Sequence, residues 1–172
     1  MYSDAEDNGQ ITYDAALKRA ARLCARSEQC GAAIRRRLAE WGVTDDISAQ
    51  VMEYLYKNSY IDDSRYIRSF VNDKFRFGKW GRQKIRHSLK ENGLTGQDVE
   101  TALNAIDEAE YMAALKKAVS EKASKRGGAE SYADRAAVYN FCMMRGYEPE
   151  LINRAIDEYR KKNRASECDK KK

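Results

Sequence analysis

Apolar residues recur along this chain at intervals of three and four. Leu17, Ala20, Ala21 and Cys24 fall at i, i+3, i+4 and i+7; Ile67, Phe70, Val71 and Phe75 nearly repeat that pattern, and Ile47, Val51 and Leu55 step by four. Such spacing gathers apolar side chains on one face of a helix of 3.6 residues per turn. No segment alternates with the period of two that a half-buried strand needs. Helix starts are signalled by Ser27, by Asp62 or Asp63, and by Thr95 with Asp98 three residues on, while Pro149 suits a first helical turn after Glu148. The pattern predicts an all-α chain.

A longer period lies over the helical one. Three segments read Ile34-x3-Leu38-x3-Gly42, Ile85-x3-Leu89-x3-Gly93 and Val138-x3-Cys142-x3-Gly146, with the glycines 51 and 53 residues apart. An apolar residue follows each glycine (Val43, Leu94, Tyr147), and a new apolar helix follows that, carried by Ile47/Val51, Val99/Leu103/Ile106 and Leu151/Ala155/Ile156. The sense is a helix closed by a glycine at positive φ, with a hydrophobic residue folded over its last turn. A further helix precedes each pair, over about 12–26, 63–76 and 108–124. The repeating element is therefore three helices, used three times: residues 12–60, 61–107 and 108–161. One such element buries little by itself, so neighbours must lean on each other. The expected product is three tandem three-helix repeats in an elongated, curved array; a compact all-helical globule is the alternative. On this division, a fragment ending near Ile106 keeps two whole repeats. Residues 1–11, polar and acidic, and the charge run 162–172 are expected as disordered ends.

Composition narrows the function. In 172 residues there is one proline and 34% of positions are charged, and no apolar run approaches the roughly 20 residues of a membrane span. Met1 to Asn8 lacks the basic start and apolar stretch of a signal peptide, so a soluble, cytoplasmic protein without a membrane partner is expected. Cys24, Cys30, Cys142 and Cys168 form no CxxC pair and the single histidine, His87, is remote from them, which predicts reduced, scattered thiols and no metal site. There is no GxxxxGK[ST], GxSxG or HExxH motif, and His87 sits among Lys84, Arg86 and Lys90, where positive charge disfavours the imidazolium. The chain reads as a non-enzyme that needs no cofactor.

The net charge of +5 says little by itself; its distribution says more. Lys18, Arg19, Arg22, Arg26, Arg35, Arg36 and Arg37 are opposed locally by Glu28 alone, and Lys18, Arg22 and Arg26 step by four along one helix. From Arg65 to Lys90 come Arg65, Arg68, Lys74, Arg76, Lys79, Arg82, Lys84, Arg86 and Lys90 against Asp73 alone, with Arg82, Arg86 and Lys90 again in steps of four. Like charges at that spacing repel one another, so their retention suggests a polyanionic partner; a merely solvated basic face is the alternative. Acidic residues collect elsewhere, at Asp98, Glu100, Asp107, Glu108 and Glu110, which predicts a surface polarised along its length. Phe75, Phe77 and Trp80 interleave with the second cluster, as aromatics do where unpaired bases stack. Phe75 is in register with the buried face, whereas Trp80, between Gly78 and Gly81, is equally a packing and a stacking candidate.

The run Ser59-Tyr60-Ile61-Asp62-Asp63-Ser64-Arg65-Tyr66, then Gly78-Lys79-Trp80-Gly81, then Ile85-x3-Leu89-x3-Gly93-Leu94, resembles the RecX family. Asn140-Phe141-Cys142-Met143-Met144-Arg145-Gly146-Tyr147 is similar to that family's third-repeat signature, and the likeness runs from about Ala15 to about Tyr159. Ser59 stands where that family often has glycine, and Lys79-Trp80 occupies a link often built from smaller residues. The resemblance implies tandem three-helix repeats that bind a RecA-type recombinase filament on single-stranded DNA and lie along its groove. It also implies opposition to filament assembly, ATP hydrolysis and strand exchange, and so a role in regulating DNA repair, homologous recombination and the SOS response.

The residues expected to meet DNA or the filament are Lys18, Arg22, Arg26, Arg35, Arg36, Arg37, Lys74, Arg76, Lys79, Trp80, Arg82, Arg86 and Lys90. A monomer is expected, docking on the filament with DNA touched directly or through it. An autonomous DNA-binding module using the same helices is the other reading. The repeat period carries its own test. Repeats in series give a radius of gyration above that of a folded domain of this length, and a small-angle scattering profile at or below the globular value contradicts that reading.

Overall fold

The computed structural model describes residues 11–169, with side chains through Arg164. The expected disordered stretch 1–10 and the last three residues lie outside it. Among the described residues the chain is entirely helical: α1 (Tyr13–Arg26), α2 (Gly31–Glu40), α3 (Asp45–Lys57), α4 (Asp63–Arg76), α5 (Arg82–Glu91), α6 (Gln97–Asn104), α7 (Glu108–Ser124), α8 (Tyr132–Met144) and α9 (Pro149–Asp169). These are tandem three-helix repeats. α9 runs on into the segment expected as a basic tail, and Arg160 and Arg164 both pair with Glu130 there, at 3.4 and 2.7 Å.

The repeating glycines end α2, α5 and α8 in the same way. Gly42, Gly93 and Gly146 have φ of 76°, 73° and 83°, in the left-handed region that costs glycine little. The next N–H reaches back over the last turn each time: Val43 donates to Leu38 O, Leu94 to Leu89 O and Tyr147 to Cys142 O, at 3.0, 3.0 and 3.2 Å. The glycine N–H groups donate to Ala39, Lys90 and Met143 carbonyls, completing a Schellman closure in all three places. The apolar residue after each glycine thereby folds under its helix: Val43 and Tyr147 are buried.

The chain forms two compact units. One comprises residues up to Phe70 with Leu89–Val99; the other comprises Val71–Ser88 with residues from Glu100 onward. α4, α5 and α6 each contribute to both, so the middle repeat is divided. In the first unit α1, α2 and α3 pack together around Ala16, Ala20, Ile34, Leu38, Val51, Met52, Leu55 and Ile61, with Ile11, Leu17 and Trp41 partly buried against them. In the second, α7, α8 and α9 pack mutually, and Leu115, Val119, Val138, Cys142, Ile152 and Ala155 are buried. Three rings run through that core, Phe75 on Tyr111 at 5.8 Å and Tyr111 on Tyr147 at 5.3 Å between centroids. The Tyr147 hydroxyl is buried without a hydrogen-bond partner, at a cost of about 1–3 kcal/mol.

The Ile61-Asp62-Asp63 run shows how one repeat grips another. Ile61 is buried in the first core and Asp62 caps α4, accepting from the Arg65 N–H at 2.9 Å. Asp63 does not cap its own helix. Its Oδ1 accepts from the N–H of Gly31, the first residue of α2, at 2.9 Å, and its Oδ2 accepts from the Tyr56 hydroxyl at 2.8 Å. α2 needs this, because Cys30 at its N-cap position makes no side-chain cap bond and Ser27, expected to start α2, instead closes α1. A Cβ on residue 31 would run into the Tyr56 hydroxyl, so glycine is required there. Burial, and then the bond to Asp63, push the Tyr56 phenol up to about 12. Asp63→Ala should therefore lower the unfolding free energy by about 1–2 kcal/mol. A urea midpoint equal to that of the unaltered chain would show that this carboxylate is dispensable.

Candidate nucleic-acid interface

Most basic residues of the first repeat face solvent with no carboxylate beside them. Lys18, Arg22 and Arg26 stand two positions on from the buried Ala16, Ala20 and the partly buried Cys24, about 200° around the helix and so on its solvent side. They are exposed, as are Arg35, Arg36 and Arg37 on α2. Among the described residues Arg37 pairs with Glu40 at 2.8 Å, while Lys18, Arg22, Arg26, Arg35 and Arg36 make no ion pair. Glu28, the acidic residue between α1 and α2, is taken by Arg65 at 2.7 Å. α1 thus presents a row of cations about 6 Å apart along its axis that, among the described residues, makes no ion pair, with Asp14 one turn before Lys18 as the acidic residue of the same helix.

The second cluster is different. The acidic residues that lie downstream in sequence fold back onto it. Arg86 forms a two-pronged pair with Glu100 at 2.7 and 2.8 Å, and that hydrogen bond holds the Glu100 carboxyl below its ordinary range. Arg76 faces Glu110 loosely at 4.0 Å, and Arg82 meets Glu108 at 2.8 Å. The expected separation of basic and acidic surface is therefore not realised here, because a turn of chain returns opposite charges to within bonding distance. Lys90 remains exposed and unpaired.

Arg82 is the clearest departure from the sequence-based expectation of a phosphate contact. Its side chain is only 15% exposed. The guanidinium lies 4.0 Å from the Tyr111 ring centroid and donates to the carbonyls of Leu103 and Ile106, both at 3.4 Å. With Glu108 and the ring, these contacts engage Nε and Nη2 and close the end of α6. Its backbone N–H, at the start of α5, donates to the Tyr111 hydroxyl at 3.0 Å, and that hydroxyl donates to Glu148 at 2.7 Å. Burial, then the bond to Glu148, push the Tyr111 phenol far above its ordinary range. Gly81 and Gln83 add N–H bonds to the carbonyls of Arg145 and Gly146, at 2.7 and 3.1 Å, and neither Gly81 nor Gly146 has room for a Cβ.

Trp80 is half-buried in the same link. The ammonium groups of Lys74 and Lys84 lie over its ring at 5.1 and 4.6 Å, and Lys84 also donates to the Met144 carbonyl at 3.3 Å. The indole is thus part of a cation–aromatic packing cluster. Lys79 donates to the Arg76 carbonyl, closing the end of α4. Sequence reasoning passed over Glu148 and Tyr111, although Arg82 stands 51 residues after Gly31 and both start a helix whose first N–H is captured by a later repeat. His87 is exposed. Among the described residues no group of three or more His, Cys, Asp or Glu could hold a metal ion, and no helix is long and apolar enough to cross a membrane. Arg82→Ala should lower stability by about 2–4 kcal/mol, since it takes a donor from the Leu103 and Ile106 carbonyls and the partner from Glu108 and the Tyr111 ring face. A thermal melt within a degree of the unaltered chain would refute the clamp.

Comparison with known proteins gives the architecture a family. The family model of the first three-helix domain of RecX matches residues 16–55, and that of the second three-helix domain matches residues 62–103. The chain is 24% identical over 164 residues to the regulatory protein RecX of Yersinia enterocolitica, covering 83% of this chain and 96% of that one. It is 28% identical over 145 residues to the regulatory protein RecX of Pseudomonas fluorescens, covering 84% and 92% respectively. It spans a smaller share, 46%, of the RecX of Leuconostoc mesenteroides, to which it is 23% identical over 124 residues. The crystal structure of RecX from Lactobacillus salivarius shares the fold with a TM-score of 0.75 at 16% identity, over 86% of this chain and 96% of that one. A second crystal structure of regulatory protein RecX gives 0.77 at 18% identity, over 86% and 74%. The three-helix repeats, their family models and these relatives agree: this chain belongs to the RecX family, whose members are regulatory proteins rather than enzymes.

Proposed function

We propose that this protein docks on a RecA-type recombinase filament assembled on single-stranded DNA and restrains its assembly, ATP hydrolysis and strand exchange, thereby regulating DNA repair and recombination. The observation that carries the reading is the exposed basic row of α1, Lys18, Arg22 and Arg26, which makes no ion pair among the described residues, with Arg35 and Arg36 exposed on α2. Cations held about 6 Å apart on one rigid helix suit a polyanion whose charges also recur along a line. Membership of the RecX family supports a recombinase as the partner. Several helical repeats offer separate contacts along one filament, and linking contacts in one chain raises avidity well beyond any one of them. Bare DNA binding by the same row, without a recombinase, is the competing reading.

Two titrations separate these readings. Recombinase ATPase on single-stranded DNA is followed as the protein is added, and co-sedimentation is compared on bare and recombinase-coated DNA at physiological salt. Inhibition with preference for the coated strand supports docking; equal affinity for both leaves a DNA competitor. The triple variant Lys18→Gln/Arg22→Gln/Arg26→Gln should bind more weakly and lower the logarithmic salt slope by about 2, as the loss of three single-strand phosphate contacts requires. Arg86→Gln, already paired to Glu100, should leave the slope unchanged. An unaltered slope in the triple variant removes α1 from the interface.

A further inference from the structure

Phe77 is 79% exposed, although it immediately follows a helix whose last aromatic, Phe75, is buried. It lies two positions beyond Phe75, about 200° around the helix, so the last turn of α4 pushes it away from the core. Its N–H is held by the Asp73 carbonyl at 2.9 Å, which fixes the base of the side chain on an ordered turn. Leaving a phenyl ring in water forgoes the gain from burying it, and no described residue of its own unit covers it.

The surroundings of the ring are basic. Arg76 precedes it with only the 4.0 Å approach to Glu110, and Lys79 follows it. Lys79 has φ of 56°, the left-handed region, although glycines stand at 78 and 81 and glycine would take that conformation without strain. One N–H of its ammonium closes α4 at the Arg76 carbonyl, leaving two further donors on an exposed side chain. Trp80, by contrast, has its ring covered by Lys74 and Lys84, so it positions those cations instead of offering its own face.

We propose that the turn closing α4 is a stacking site for unpaired nucleic-acid bases, in which Phe77 takes the face of a base while Arg76 and Lys79 meet the flanking phosphates. The proposal rests on the single-stranded DNA side of the function proposed above. A single strand is the occupant these groups fit, because it alone offers a flat apolar face between two anions at each step. In a duplex the base faces are closed to a side chain. An acidic protein segment would satisfy the cations but supplies no regular partner for the ring.

The test uses the full chain, oligo(dT) and an abasic oligonucleotide of equal length. Phe77→Ala should bind oligo(dT) about tenfold more weakly, within the range of base–aromatic stacking, while its affinity for the abasic strand stays within about twofold of the unaltered chain. Phe77→Tyr should keep most of the affinity. Lys79→Gln should weaken both strands alike. A 2-aminopurine base in the strand should be quenched by the unaltered chain and not by Phe77→Ala, and matching melting curves establish that the variants are folded. Unchanged oligo(dT) binding by Phe77→Ala, an equal loss on the abasic strand, or no oligo(dT) binding by the unaltered chain overturns the stacking site. If Phe77→Ala keeps oligo(dT) affinity but co-sediments less with recombinase filaments, the patch faces protein: this proposal falls and the filament reading stands. If the unaltered chain stacks on oligo(dT) but leaves the filament untouched, the stacking site stands and the filament reading falls.

Discussion

The first N–H of a helix has no partner within that helix, and for the middle helices of the first two repeats this chain meets that need from the repeat that follows. Gly31 at the start of α2 donates to Asp63, itself held by Tyr56; Arg82 at the start of α5 donates to Tyr111, itself bonded to Glu148. The two positions are 51 residues apart, the same interval as between the glycines Gly42 and Gly93. α2 has no side-chain cap of its own and depends on its neighbour, whereas α8, in the last repeat, is capped by its own Ser131, which accepts from the Asp134 N–H at 3.1 Å. Capping and repetition are thus one constraint. It accounts for small residues where the chain approaches closely, at Gly31 and Gly81, and for paired hydroxyl and carboxyl groups where a lone aspartate would satisfy an ordinary N-cap.

The same constraint sorts the basic residues into two kinds. In the second repeat, whose helices are divided between the two compact units, Arg82 and Arg86 are drawn into closing helix ends and holding Glu108 and Glu100. In the first repeat Arg65 takes the nearby Glu28, and the α1 row makes no ion pair among the described residues. The second repeat carries the longer basic run, but more of its charge is met by carboxylates than in the first. Electrostatic attraction for a distant polyanion depends on the unopposed charge, because paired ions largely cancel beyond a Debye length of about 8–10 Å.

Helical spacing and the repeated Ile-x3-Leu-x3-Gly ends were legible because both are local. The period of 3.6 and the left-handed glycine each show within ten residues, and Gly42, Gly93 and Gly146 close their helices as that pattern predicts. Pro149 opens α9 as its fixed φ favours. What could not be read involves partners far apart in sequence. Asp63 looks like a local cap and serves a helix 32 residues earlier; Arg82 steps in register with Arg86 and Lys90 and turns inward to Tyr111. Phe77 was legible in part, since it falls out of register with Val71 and Phe75, but its exposure depends on how the Gly78–Gly81 link docks on Arg145 and Gly146.

A repeat of sequence is consequently not a unit of folding in this chain. The interval between glycines marks off residues 61–107 as a complete element, yet Phe75 and Arg82 inside it are finished only by Tyr111, Glu108 and Glu148 outside it. A fragment ending near Ile106 would keep two whole sequence repeats and still expose a buried aromatic ring, an unpaired guanidinium and the open start of α5. Each of these costs on the order of 1–3 kcal/mol, together comparable to the whole stability of a small domain. Loss of activity in such a fragment would therefore report unfolding as readily as a missing contact. The contribution of the third repeat to docking is better sought by changing exposed residues of α7 to α9 in the intact chain, where the Tyr111–Glu148 relay is left in place.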